Sequence, residues 1–159
     1  MKRLLWLLLA MFVSPEFLVA VILYSLYFFL PSVLNVLGHH LKGDKEVWKY
    51  LPILPGALAA YTFNMSAKIR APSKEELNQV LYGWPLYQLV VDRVYVGIFY
   101  SVVCFILSLL LWMLGESLGD SIIALFFLEA TVVSGVSALT MHEAAQKLIE
   151  ILVKHSTLK

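Results

Sequence analysis

Residues 94–115 read VYVGIFYSVVCFILSLLLWMLG, a run of twenty-two positions without a charged side chain. At a rise of about 1.5 Å per residue, a helix of this length spans the hydrocarbon core of a bilayer, about 30 Å thick. Three further apolar runs accompany it, over residues 17–38, 51–67 and 121–141. The chain of 159 residues is 60% hydrophobic and 14% charged, with a mean hydropathy of +0.81. A water-soluble domain carries about a quarter charged residues. The composition therefore predicts an all-α integral membrane protein, a bundle of four transmembrane helices in a single membrane domain. It excludes a soluble enzyme and a disordered chain, and the lone Cys104 excludes a secreted disulfide scaffold. A net charge of only +1 argues against direct nucleic-acid binding.

The ends of the runs carry local signals. Lys2 and Arg3 followed by apolar residues 4–13 imitate a secretory signal, but Ser14-Pro15-Glu16 lacks the small-x-small cleavage pattern. Serine as cap, proline at the first helical position and an acid at the positive end of the dipole instead predict a helix start. Residues 4–13 are then expected as an uncleaved interfacial segment, with an inserted anchor as the alternative. The first span is expected to bend at Pro31 and to end at Gly38. Pro52 and Pro55 punctuate the start of the second. Ser73-Lys-Glu-Glu76 forms a capping box that opens an amphipathic cytoplasmic segment over 74–93, broken at Gly83-Trp84-Pro85. Gly115 should close the third span and Asp120 cap the fourth, making the two an antiparallel hairpin. Beyond Met141 the pattern turns amphipathic and predicts a cytoplasmic stalk over 142–156.

Orientation follows from cations near span ends. Lys2, Arg3, Lys68, Arg70, Lys74, Arg93, Lys147, Lys154 and Lys159 fall on one face, against Lys42, Lys45 and Lys49 on the other. Both termini are therefore expected in the cytoplasm, with the protein in the bacterial inner (plasma) membrane. Trp6 and Trp84 near the inner face, and Trp48 and Trp112 near the outer one, fit an aromatic belt.

Among the few polar residues inside the runs, Glu129 stands near the middle of the fourth. A carboxylate there costs about 2.5–3.5 kcal/mol to insert, which makes it a functional candidate. Ser108 and Cys104 are expected at similar depth, so the three form a candidate intramembrane polar site. The same residues are also read as plain interhelical glue. Gly97, Ser101, Cys104 and Ser108 lie four, three and four apart, as a close-packing seam requires; Ala130, Ser134 and Ser137 form another. Some of these seams must serve packing within one chain, and their surplus predicts a homo-oligomer. Glu143 with Lys147 and Glu150 with Lys154 are helix-stabilising pairs on the stalk. Its stripe of Met141, Ala145, Leu148 and Leu152 can cover the chain's own 74–82 segment, sister stalks or a soluble partner. Lys68, Arg70, Lys74, Arg93, Lys147, Leu148 and Leu152 make up the expected cytoplasmic partner surface. Neither catalysis nor a cofactor is expected. His142-Glu143-Ala-Ala-Gln146 lacks the second histidine of a zinc-protease helix, and adjacent His39 and His40 point apart. Asn64-Met65-Ser66 fits a glycosylation pattern but lies inside a span.

The size, the four spans with both ends inside, and the basic-then-amphipathic hinge from Lys68-Ile-Arg70 to Trp84-Pro85 resemble small membrane subunits of bacterial antiphage systems. The Kiwa membrane subunit and the phage-encoded exclusion membrane protein of lambda have this layout. The resemblance covers layout and carries no functional residues. It implies a non-enzymatic inner-membrane sensor or depolarising pore, contacting lipid and coupled to a cytoplasmic protein. The alternative from another class is a small ion channel or transporter built on Glu129.

Overall fold

The computed structural model describes residues 2–72, 78 and 81–157. Among these, every regular element is helical: α1 (Lys2–Phe12), α2 (Pro15–Phe29), α3 (Pro31–Gly43), α4 (Lys45–Tyr50), α5 (Ile53–Arg70), α6 (Tyr87–Leu114) and α7 (Asp120–Thr157). A 3-10 turn, Gly115–Ser117, links α6 to α7. The capping box at 73–76, with Lys74, and Lys159 lie outside the described residues.

Local chemistry sets most boundaries. The Phe17 N–H donates to Ser14 Oγ at 3.2 Å, and Pro15 opens α2 at a position whose own N–H is not needed. α1 meets α2 at 47°. Pro31 cannot donate a helical hydrogen bond, so α2 stops and Leu30 takes φ −133° and ψ 49° before α3 begins. Asp44 caps α4, its Oδ1 accepting from the N–H groups of Glu46 and Val47 at 2.8 and 3.3 Å. The expected stop at Gly38 is corrected: α3 runs through it to Gly43. Gly38 is there for proximity, since a Cβ added to it would fall 1.8 Å from the Asp120 carbonyl oxygen.

α7 is the central column, and α2–α3, α5 and α6 pack around it. At one end Leu41, Leu51, Leu111 and Ile123 form a cluster, closed by Trp48. There the Lys42 ammonium donates to the Leu118 carbonyl at 3.2 Å, and His39 lies 3.4 Å from Asp120. In the middle, Cys104, Ala130 and Val133 pack with Val19, Ala20 and Leu23. At the far end Met65, Ile69, Leu81 and Val94 enclose Met141, Ala145, Leu148 and Leu152. The stalk stripe thus covers its own chain.

The outside of the bundle is apolar. Leu18, Val21, Ile22, Phe28 and Phe29 of α2 and Phe99, Val102, Ile106 and Leu110 of α6 are exposed. Such a surface suits lipid, not water. α6 and α7 are each long and apolar enough to cross a bilayer, and a third crossing is available if the bent pair of Leu5–Phe12 and Pro15–Phe29 counts as one. α5 runs the same course between the two ends, but Asn64, Lys68 and Arg70 leave it less apolar than those spans.

The small-residue seams are consumed inside the chain. Ser101, Ala130, Ser134 and Ser137 are all buried, and a Cβ on Gly97 would approach Met141 Cε to 2.4 Å. Because that atom ends a flexible side chain, Gly97→Ala is expected to destabilise by no more than about 1–3 kcal/mol of overpacking, and so to lower the thermal midpoint only modestly. A detergent-solubilised melt checks this.

Candidate functional site: a buried ion pair joining three helices

The Ser14-Pro15 start makes Glu16 the second residue of α2 and turns its side chain inward, where it is fully buried. Arg93, near the beginning of α6, reaches it: Nη2 donates to Glu16 Oε1 at 2.5 Å and to Thr140 Oγ1 at 3.1 Å. Ser137 Oγ donates to the same Oε1 at 3.2 Å. Thr140 Oγ1 donates in turn to the Ser137 carbonyl at 3.1 Å. One carboxylate therefore ties α2 to α6 and α7. The cluster lies about one turn inside the end marked by Asp92 and exposed Glu143. α1 is fastened nearby, because the Tyr100 hydroxyl donates to the Met11 carbonyl at 3.1 Å.

Two charges removed from water are held at a net electrostatic cost unless their remaining valences are filled. Here the pairing is single-pronged. Among the described residues, Glu16 Oε2, Arg93 Nη1 and the Ser101 hydroxyl are buried and meet no hydrogen-bond partner. An arginine fork facing a carboxylate more often engages both oxygens.

Glu129 is placed differently from the expectation of a polar site with Ser108 and Cys104. It is half-buried and makes no hydrogen bond or ion pair among the described residues. Ser108 donates instead to the Phe105 carbonyl of its own helix at 2.7 Å. Cys104 is buried beside Ser134, within electrostatic reach of Glu129.

The residues expected on a partner surface also divide. Lys68 and Lys147 are exposed, and the Arg70 carbonyl accepts from the Tyr82 hydroxyl at 3.3 Å. Leu148 and Leu152 are buried, so these two are corrected from surface to interior, whereas Arg93 stays partly exposed while its guanidinium turns to Glu16. Beside them an apolar hollow of about 550 Å³ opens between the 81–90 stretch and α7, lined by Leu81, Trp84, Pro85, Val90, Lys147 and Ile151 among others.

Glu16 escaped the sequence reading because an acid in a first helical turn already has an explanation in the dipole. The available signal was a pairing: Glu16 and Arg93 are opposite charges at matched ends of two apolar runs. Among the described residues no three His, Cys, Asp or Glu side chains gather as a metal site. His142 Nδ1 is 2.7 Å from the Tyr61 hydroxyl, a contact between α5 and α7.

These features define a helical membrane protein with a charged cluster buried among three of its helices. No protein-family model, no curated protein and no solved structure matches the chain.

Proposed function

We propose that the protein is a non-enzymatic membrane subunit of four spans, with both termini in the cytoplasm, that docks a soluble protein on its cytoplasmic end. The observation that carries this reading is the length of α7. Its 38 residues extend about 57 Å, against about 30 Å of hydrocarbon. The surplus turns are braced by Leu81 and by Met65 and Ile69 of α5, which makes a firm platform beyond the bilayer. On that platform Ile151 remains exposed and lines the apolar hollow with Lys147. A bacterial inner membrane and a place in antiphage defence rest on the resemblance of layout. A homo-oligomer belongs to the same reading. With the α6 and α7 seams buried, the outer face of α5, where Ala57, Ala60 and Ala67 are exposed, offers it a close-packing surface.

A photo-crosslinking side chain at Ile151, in full-length protein in native membranes, tests the docking. One soluble protein should be captured there, lost when Lys147→Glu is added, and absent when the crosslinker sits at Val21. Capture of lipid or of the chain itself alone would contradict it.

A second reading, ion or proton movement through the bundle, draws on a specific observation: the fully buried carboxylate with a free oxygen is Glu16, not Glu129. Liposome flux abolished by Glu16→Gln and unaffected by Glu129→Gln is its expected result. Equal flux in both variants would remove it.

A further inference from the structure

We propose that the junction of α2, α6 and α7 is a water-binding site, in which water bridges Glu16 Oε2, Arg93 Nη1 and Ser101 Oγ. The case rests on what those three atoms need. Glu16 Oε1 already accepts from Arg93 Nη2 and Ser137, whereas Oε2 is buried and accepts from none of the described residues. Arg93 Nη1 is buried and donates to none of the described residues. On α6 and α7 the Ser108 and Thr140 hydroxyls are satisfied by carbonyls one turn back. Ser101, buried on α6 two turns from Arg93, makes no such bond.

The bridging species must donate to a carboxylate oxygen and accept from a guanidinium. A metal cation cannot accept from Nη1. An anion would be repelled by Glu16. A neutral donor and acceptor of small size remains, and water has both capacities in the geometry that buried polar groups ordinarily fill. An unfilled charged valence in this setting carries a desolvation penalty that one bound water removes. The supply route is Arg93 itself, whose side chain is 32% exposed while the carboxylate it meets is sealed. Arg93 also lines a shallow hollow with Trp84, Leu89 and Met141 that opens outward from the bundle. Water therefore enters from the end that carries the stalk and stops at the buried hydroxyls.

Water-edited solid-state NMR on the full-length protein in phospholipid vesicles tests this directly, with water as the probe. Magnetisation from water should reach the Glu16 carboxyl carbon and Ser101 Cβ as quickly as it reaches the exposed Glu143 carboxyl, and well before the Ile123 methyls. Glu16 and Ser101 lagging with Ile123 would overturn the proposal. Ser101→Val, which replaces the hydroxyl with an apolar branch, should lose the rapid transfer at Glu16. Should that variant fail to fold, Ser101→Ala with unchanged transfer at Glu16 would overturn the share assigned to Ser101. Slowed transfer would support it.

Discussion

Glu16→Ala should destabilise the bundle by about 3–5 kcal/mol, the range expected when one partner of a buried ion pair is removed. The loss exceeds that of one hydrogen bond because Arg93 would be left as an uncompensated charge among α2, α6 and α7. Arg93→Ala should cost a similar amount for the mirrored reason. The double replacement Glu16→Leu with Arg93→Leu should recover most of the loss, since removing both charges also removes their desolvation. Ser137→Ala takes away only one of two donors to Oε1 and should cost about 1 kcal/mol. Unfolding equilibria in detergent micelles, run as a double-mutant cycle, separate these cases. Glu16→Ala within about 0.5 kcal/mol of wild type would show that the pair holds nothing together, because that is the ordinary effect of an unimportant surface change.

The second large effect is expected at Gly38. Any side chain there places its Cβ 1.8 Å from the Asp120 carbonyl oxygen, 2.4 Å from its carbon and 2.9 Å from its Cα. All three are backbone atoms, so no rotamer change relieves the contact. α3 must lift away from the start of α7, taking with it the His39 and Lys42 contacts to Asp120. Gly38→Val should therefore exceed the usual overpacking cost of about 1–3 kcal/mol. Gly135→Ala is the matched control. Nothing lies within 4 Å of a Cβ there, and alanine in a helix interior should stabilise by up to about 1 kcal/mol. Opposite signs for the two glycines, in the same melting assay, are the expected outcome.

The contrast between those glycines shows which parts of the fold could be read without coordinates. Signals that act within a turn were legible: Ser14 and Pro15 start α2, Pro31 breaks the helix at Leu30, and α7 starts where expected, although Asp120 is its first helical residue and not its cap. The helical, membrane-adapted character was legible too, because it is a property of composition. Gly38 was read as a terminator because glycine most often serves that purpose. Its real partner, Asp120, is 82 residues away and invisible to local rules. The same limit hid the ion pair. Glu16 and Arg93 are 77 residues apart, and each already had a local explanation, one as a dipole partner and the other as a surface cation. Seams of small residues were visible as spacing, but spacing does not say whose helix fills them. Met141 and the buried serines answer that from within the chain. α5 illustrates the reverse: it lies alongside the spans, yet Asn64 and its basic end hold its hydropathy below theirs.

The central claim is that the four columns of the bundle cross a membrane with both termini on one side. Single cysteines in a Cys104→Ala background, labelled with a membrane-impermeant maleimide, test it most directly. Lys45→Cys and Ser117→Cys should react in intact cells. Ala71→Cys and Lys147→Cys should react only after the membrane is permeabilised. Labelling of Ala71→Cys or Lys147→Cys in intact cells would contradict the account.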